Sequence, residues 1–200
     1  MAITTELEKT INRPEKCYLL PNAVPEYLTK IDIPLPKQPQ VIGFHGALYE
    51  WLDYSLLEEV AKSFPQCILR LVGDVRDPND LKLLKQYPNV ETFPAFRFED
   101  MPKIVGGFTV GIIPFLENVV AKCSDPLKSY EYLAMGRGVV STVAAAFDKN
   151  VFRYADRKQF INELKELLEN PPNSEECRAA VTGNYWENRC DRLTEIITGK

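Results

Sequence analysis

From residue 41 onward, short apolar runs alternate with amphipathic stretches, and this alternation constrains the fold more than any other feature of the chain. The apolar runs have the length and the β-branched content of buried strands. Strands that alternate with helices form parallel sheets joined by right-handed crossovers. We therefore predict an α/β fold, a Rossmann-like three-layer α/β/α sandwich with a parallel sheet.

The same pattern gives approximate bounds for each element. Strands are predicted at residues 41–45, 67–72, 90–93, 108–115 and 138–142, with a short edge strand at 151–153. Helices are predicted at residues 53–63, 79–86, 99–105, 126–135, 156–169 and 174–197, the last with a break at 183–184. Ser55 and Glu58 have the spacing of a capping box for the first of these helices, and Asp53 is a second N-cap candidate.

Composition and charge exclude several classes of function. The net charge of −4 argues against a nucleic-acid-binding face, which needs clustered basic residues. No window has the roughly 20 apolar residues of a membrane span. The five cysteines are widely spaced without a Cys-x-x-Cys pair, so we expect free thiols. With a single histidine, a zinc site is not expected.

The stretch from residue 124 to 136 lies between two predicted strands and has the start and stop signals of a helix. Ser124 or Asp125 can serve as the N-cap, Pro126 suits the first helical position, and a glycine ends the helix. Lys128 then lies in the first turn, where unpaired N–H groups and the helix dipole favour an anion. Glu131 follows on the same face, so the two side chains can either bind a phosphate and sugar hydroxyls or form a solvated ion pair.

Residues 126–142 read Pro-Leu-Lys-Ser-Tyr-Glu-Tyr-Leu-Ala-Met-Gly-Arg-Gly-Val-Val-Ser-Thr, and this run closely resembles the signature of the nucleotide-binding, C-terminal domain of GT-B glycosyltransferases. It is most similar to the bacterial family 4-like enzymes and to the glucuronosyltransferases of exopolysaccharide and teichuronic acid synthesis. Residues 17–25 resemble the hinge that leads into that domain, and residues 185–189 resemble the start of the last GT-B helix. The resemblance implies three parts: a hinge and linker from a missing N-terminal acceptor domain at 1–40, the donor nucleotide-sugar-binding domain at 41–183, and a C-terminal crossing helix at 184–200.

The resemblance also implies roles for individual residues. Lys128, Gly46 and Ser124 are expected to bind the diphosphate of a nucleotide sugar, and Glu131 the ribose. Phe96 and Arg97 are expected to contact the base, and Asn118 the sugar or the diphosphate. Catalytic residues are expected in the missing domain. No cofactor and no metal are expected, since no Asp-x-Asp pair ends a strand.

The sequence departs from the family pattern at two places. Cys123 occupies the position of the first glutamate in the Glu-x7-Glu motif, and no basic residue follows the first strand's loop. We expect the single histidine, His45, to have a structural role at the end of its strand, and Arg137 to be a surface cation.

The expected function is to bind a nucleotide sugar, a UDP-sugar, as half of a glycosyltransferase of cell-envelope or extracellular polysaccharide synthesis. The expected partners are the nucleotide-diphosphate sugar and an N-terminal acceptor domain, without nucleic acid or a membrane span. The expected location is cytoplasmic, at the inner face of the cell membrane, with peripheral membrane association through the missing domain. Alone, the chain is expected to be inactive. Two alternatives stay open: a nucleotide-sugar epimerase of GT-B architecture, and a non-catalytic Rossmann-like regulatory or binding domain.

Overall fold

A computed structural model describes residues 2–11, 17–79 and 81–199, and this part of the chain contains one parallel sheet. Its strands are β1 Val41–His45, β2 Ile68–Val72, β3 Val90–Phe93, β4 Val110–Ile113, β5 Gly138–Ser141 and β6 Phe152–Tyr154. They are ordered β3-β2-β1-β4-β5-β6, and all neighbouring strands run parallel. This is the doubly wound Rossmann order, so the predicted α/β fold is confirmed.

The helices cover both faces of the sheet. They are α1 Thr5–Lys9, α2 Tyr54–Ser63, α3 Met101–Gly106, α4 Val119–Lys122, α5 Leu127–Ala134, α6 Phe160–Glu169, α7 Ser174–Ala180 and α8 Trp186–Thr198. Among the described residues, no helix is long and apolar enough to cross a membrane. The five cysteines are free thiols, as predicted.

Two hydrophobic cores lie on opposite faces of the sheet, because successive strand residues point to opposite sides. Ile42 and Phe44 of β1 pack with α2 and α6 in one core, whereas Val41 packs with α3, α5 and α7 in the other. Burial of each large apolar side chain contributes about 1.5–3 kcal/mol. The chain therefore has the predicted three-layer α/β/α arrangement.

Two of the predicted helix features are wrong. The capping box of Ser55 and Glu58 is not formed, because Asp53 is the N-cap of α2 and accepts a hydrogen bond from the Leu56 N–H at 2.9 Å. Within the stretch from 79 to 86, of which residue 80 lies outside the described residues, only a short 3₁₀ turn forms at Leu84–Gln86. Two leucines of this stretch are buried, but Leu83 is 59% exposed, so it offers too little apolar surface for a packed helix.

The crossover helices place a crevice between β1 and β4. The two strands are neighbours, but α2 follows β1 into one core and α5 follows β4 into the other. In doubly wound sheets ligands bind at this switch point, beyond the carboxyl ends of the strands. The candidate site is therefore built by the residues after His45 and after Ile113.

A close approach of aromatic rings to β1 and β4 stabilises this part of the sheet. Gly43 pairs with Gly111, and a Cβ atom on either would overlap an aromatic ring, that of Phe108 or that of Tyr132. The two rings contact each other edge to face, with centroids 6.1 Å apart. Because Gly43 and Gly111 have no side chains, the rings of Phe108 and Tyr132 can pack directly against the two strands.

We expect Gly111→Ala to destabilise the protein by about 1–3 kcal/mol, because the added methyl group overpacks the core against the ring of Tyr132. Urea denaturation measures this loss. Gly107→Ala is the control, since the nearest atom to an added Cβ there is 3.2 Å away and a smaller change is expected. Equal effects of the two substitutions would contradict the packing argument.

Candidate functional site

The helix that bears Lys128 begins without a side-chain cap. Pro126 is the N-cap residue of α5 in an extended conformation, with φ −65° and ψ 114°. Ser124 does not cap the helix, because its hydroxyl donates to the Ala121 carbonyl at 2.7 Å. The predicted N-cap at Ser124 or Asp125 is therefore wrong, and α5 has no side-chain cap hydrogen bond among the described residues.

Asp125 is used elsewhere. Its carboxylate accepts hydrogen bonds from the Asn22 backbone N–H at 2.7 Å and from the Tyr130 hydroxyl at 3.1 Å. Burial raises the pKa of this carboxyl group. Arg189 of α8 donates to the Pro21 carbonyl at 2.9 Å, beside the same segment. Contacts from the segment at 21–22 and from α8 thus converge just before α5.

Lys128 extends from the first turn of α5 to the switch point between β1 and β4. Its Nζ lies 5.3 Å from the ring centroid of Phe44 in β1 and 5.9 Å from that of Phe115, which follows β4. In the described part of the chain, the amino group makes no hydrogen bond or ion pair. Burial lowers the pKa of Lys128, and the negative charge of Glu131 opposes this effect.

Gly46, directly after β1, is required by both backbone conformation and space. Its φ is +117°, which disfavours any residue with a side chain. An added Cβ would also lie 2.5 Å from Cε and 2.7 Å from Nζ of Lys128. The structure therefore brings together Gly46 and Lys128, two residues predicted to bind one diphosphate.

Glu131 is buried three residues after Lys128, with only 7% of its side chain exposed. Its Oε2 lies 3.1 Å from Nε2 of His45, although the ring N–H is not aligned with the oxygen as a hydrogen bond requires. No ion pair joins Glu131 to Lys128 in the described residues. The solvated-pair interpretation of these two residues is therefore wrong.

Two pockets meet at the contact between Gly46 and Lys128. The β1–β2 pocket, of about 260 Å³, is lined by His45, Gly46, Asp74, Phe96, Phe98, Met101 and Glu131, among others. The β4–α5 pocket, of about 280 Å³, is lined by Trp51, Phe115, Leu116, Asn118, Ala121, Ser124, Pro126 and Lys128. The free amino group thus lies between two cavities on the ligand edge of the sheet.

Six of the seven predicted site residues line these pockets. Gly46, Phe96 and Glu131 line the β1–β2 pocket, and Asn118, Ser124 and Lys128 line the β4–α5 pocket. Arg97 lines neither of them. Its side chain is 82% exposed, and its Nε lies 3.2 Å from Oε2 of Glu99. The roles of these seven residues stay predictions.

Sequence reasoning missed the position of His45 in the site. The residue lies at the end of β1, as expected, but its side chain lines the β1–β2 pocket beside Glu131. Its position at the carboxyl end of a central strand was a signal that could have identified it. Trp51, 37% exposed in the other pocket, was missed as well.

Arg137 is not the predicted surface cation. Its side chain is fully buried and donates to the carbonyls of Gly106 at 2.6 Å and Ile33 at 2.9 Å. Burial lowers its pKa to about 10. The residue joins the end of α3 to the segment before β1, and the sequence around it, an arginine between two glycines, carries no sign of this burial.

Comparisons with known proteins agree with this geometry. A curated relative, the putative teichuronic acid biosynthesis glycosyltransferase TuaH of Bacillus subtilis, is 29% identical over 104 residues, which are 51% of this chain and 26% of the relative. AviGT4, a glycosyltransferase involved in avilamycin A biosynthesis, has a TM-score of 0.76 at 13% identity, over 97% of this chain and 61% of that one. The catalytic domain of the Helicobacter pylori cholesterol-α-glucosyltransferase has a TM-score of 0.51 at 18% identity, over 82% of this chain and 100% of that one.

The family follows from the sequence match. The model of the family described as glycosyl transferases group 1 matches residues 39–170, and the chain belongs to this family. The resemblance to GT-B glycosyltransferases seen at residues 126–142 is thereby confirmed. The chain spans about a quarter of the length of its curated relative, 26%, so that protein includes much more than this unit.

The unpartnered amino group of Lys128 implies a cost in stability. We expect Lys128→Met to stabilise the ligand-free protein by about 0.5–2 kcal/mol, because it removes a charge that burial disfavours. The pKa of Lys128 is lower in the folded protein than in the unfolded chain, so the unfolded chain binds the proton of the amino group more tightly. The free energy of unfolding of the unsubstituted protein therefore rises as the pH increases toward the usual lysine pKa. The advantage of the variant should shrink over the same range. Thermal denaturation at a series of pH values measures the stability of the protein and the advantage of the variant. Lys165→Met, at an exposed position, is the control. Equal effects of the two substitutions would contradict a cost of burying the Lys128 charge.

Proposed function

We propose that this unit binds a nucleotide-diphosphate sugar, a UDP-sugar, at the switch point between β1 and β4. The observation that carries the proposal is the amino group of Lys128, which lies unpartnered against Gly46 at the uncapped start of α5. A buried cation without a counter-ion, beside free N–H groups at a helix N-terminus, favours an anion. The diphosphate is the anion that this arrangement fits.

The nucleoside would occupy the β1–β2 pocket. Glu131 lines this pocket as an acceptor, and a carboxylate can accept hydrogen bonds from both ribose hydroxyls. Phe96 lines the same pocket and offers a ring for the base to stack on. Arg97, exposed nearby, would reach the base or a phosphate only from the rim.

The sugar would occupy the β4–α5 pocket, on the other side of Lys128. Asn118 and Ser124 line it with polar groups, and Trp51 offers an apolar face. The Asn118 side chain already accepts from the Ala121 N–H at 2.9 Å, which fixes its orientation. With Cys123 in place of the usual glutamate, this pocket would bind the sugar with fewer charged contacts than is typical of the family.

Catalysis would consist of stabilising the leaving group. As the bond to the sugar breaks, negative charge develops on the diphosphate, and Lys128 with the first N–H groups of α5 would stabilise it. The acceptor site and the catalytic groups would come from an N-terminal acceptor domain. The chain alone would therefore bind the donor without transferring its sugar.

The proposed biological setting is supported by the name of the curated relative. The name of the Bacillus subtilis protein, which refers to teichuronic acid biosynthesis, supports a role in cell-envelope or extracellular polysaccharide synthesis. Such a reaction would place this unit in the cytoplasm, at the inner face of the membrane, with the acceptor domain making the peripheral contact. Two alternatives, an epimerase and a non-catalytic regulatory domain, predict different behaviour: the first would interconvert free UDP-sugars, and the second would bind no nucleotide.

We expect UDP to bind saturably, with affinity about tenfold to a hundredfold lower in Lys128→Ala, because a charge-assisted contact contributes about 1.5–3 kcal/mol. Glu131→Gln should weaken binding about tenfold, because it removes the charge from an acceptor. Isothermal titration calorimetry measures both. Lys165→Ala and Glu166→Gln, exposed on α6, are matched controls. Absence of UDP binding, or equal affinities in all variants, would contradict the proposal.

We expect UDP binding to be independent of divalent cations, because the diphosphate charge is neutralised by Lys128 and helix N–H groups. In the described residues, no group of three or more His, Cys, Asp or Glu residues is arranged to hold a metal ion. The dissociation constant for UDP should change less than about twofold on addition of EDTA or of Mg²⁺. A dissociation constant that rises severalfold in EDTA would show that a metal ion takes part.

A further inference from the structure

The β1–β2 pocket is lined by His45, whose Nε2 makes no aligned hydrogen bond among the described residues, although Oε2 of Glu131 lies 3.1 Å away. The side chain of His45 is 8% exposed. A buried polar group without a partner costs about 1–3 kcal/mol. On a side chain that lines a cavity, such an atom is explained by a ligand group that would complete its hydrogen bonding.

The neighbours of His45 hold its ring in place. The ring contacts Tyr132 and Phe96 edge to face, with centroids 5.2 Å and 5.6 Å away. The His45 backbone N–H donates to the Tyr132 hydroxyl at 3.1 Å. These contacts restrain both the backbone and the ring of His45, which favours the position of its side chain in the pocket.

The chemistry of Glu131 defines what His45 can bind. A carboxylate only accepts hydrogen bonds, and it favours the histidine tautomer that carries its proton on the nearby Nε2, so that His45 offers a donor. A hydroxyl group is both donor and acceptor. With Nε2 and Oε2 3.1 Å apart, one hydroxyl can donate to Glu131 and accept from His45 at ordinary hydrogen-bond lengths.

We propose that His45 and Glu131 together bind the ribose diol of the nucleotide, with one hydroxyl held by both residues and the other by Glu131 alone. This inference rests on the proposed function, because it assigns a second ribose-binding residue to the same site. It makes His45 a determinant of specificity: the site distinguishes ribose from a deoxyribose at one defined hydroxyl.

The test compares UDP, 2′-deoxy-UDP and 3′-deoxy-UDP in calorimetric titrations of the protein and of His45→Phe, which keeps an aromatic ring but removes the donor. In the unsubstituted protein both analogues should bind more weakly than UDP. In His45→Phe, the preference for UDP over one analogue should fall about fivefold to tenfold, while the preference over the other stays unchanged. His45→Gln, which keeps an N–H donor, should restore part of the lost preference.

Phe98→Leu is the control in the same pocket, because Phe98 lines it without a ring contact to His45 in the described residues, so both ratios should stay unchanged. Thermal denaturation of each variant verifies that it is folded. If the protein binds UDP and His45→Phe leaves both ratios unchanged, or lowers both equally, the ribose role of His45 is overturned and the proposed function stands. If the unsubstituted protein binds no UDP, the proposed function itself fails.

Discussion

The functional geometry of this protein depends on the adjacency of β1 and β4, whose following helices turn to opposite faces of the sheet. No crossover covers the carboxyl ends of these two strands, so a crevice remains there. Into it extend Gly46 from β1 and Lys128 from α5. This topology brings Lys128 of α5 against the residue after β1, whereas Phe96 and Asn118 are contributed by the segments after β3 and β4.

The crevice is stabilised by apolar packing and not by its own polar groups. The rings of Phe108 and Tyr132 occupy the space left by two glycines, and Tyr132 also accepts a hydrogen bond from the end of β1. Lys128 and His45 instead have polar atoms without partners, which lowers the stability of the empty site. The sheet and its aromatic layer hold these groups in position against that cost, and a bound anion and diol would recover part of it.

Much of the fold could be predicted from the sequence, because apolar periodicity and the residues at helix and strand ends are local signals. The strand at 41–45 and the helix signature after residue 126 were recognised in this way. The contact between Gly46 and Lys128 could be predicted only in part. The resemblance assigned both residues to a diphosphate. That the two residues touch depends on the tertiary structure, because the helices after β1 and β4 pack on opposite faces of the sheet.

The remaining features could not be predicted, because they depend on contacts between distant segments. Arg137 has the sequence context of an ordinary surface residue, yet its guanidinium group donates to the carbonyls of residues 33 and 106 in the interior. The capping role assigned to Asp125 failed for the same reason, since Asn22, 103 positions earlier, takes up its carboxylate. His45 was expected to have a structural role because the sequence shows no partner for it, and the structure brings Glu131 beside it from 86 residues away.

The bonds of Asp125 and Arg189 to residues 21 and 22 have a consequence for how the start of α5 is formed. The contact from Arg189 to Pro21 joins residues 168 positions apart, and the entropy cost of closing so long a loop must be offset by the packing between them. The start of α5 is therefore positioned by the segment at 21–22 and by α8, which line neither of the two pockets. Loss of the Asn22 contact would leave the Tyr130 hydroxyl as the remaining donor to the carboxylate of Asp125 among the described residues, even with every pocket residue intact.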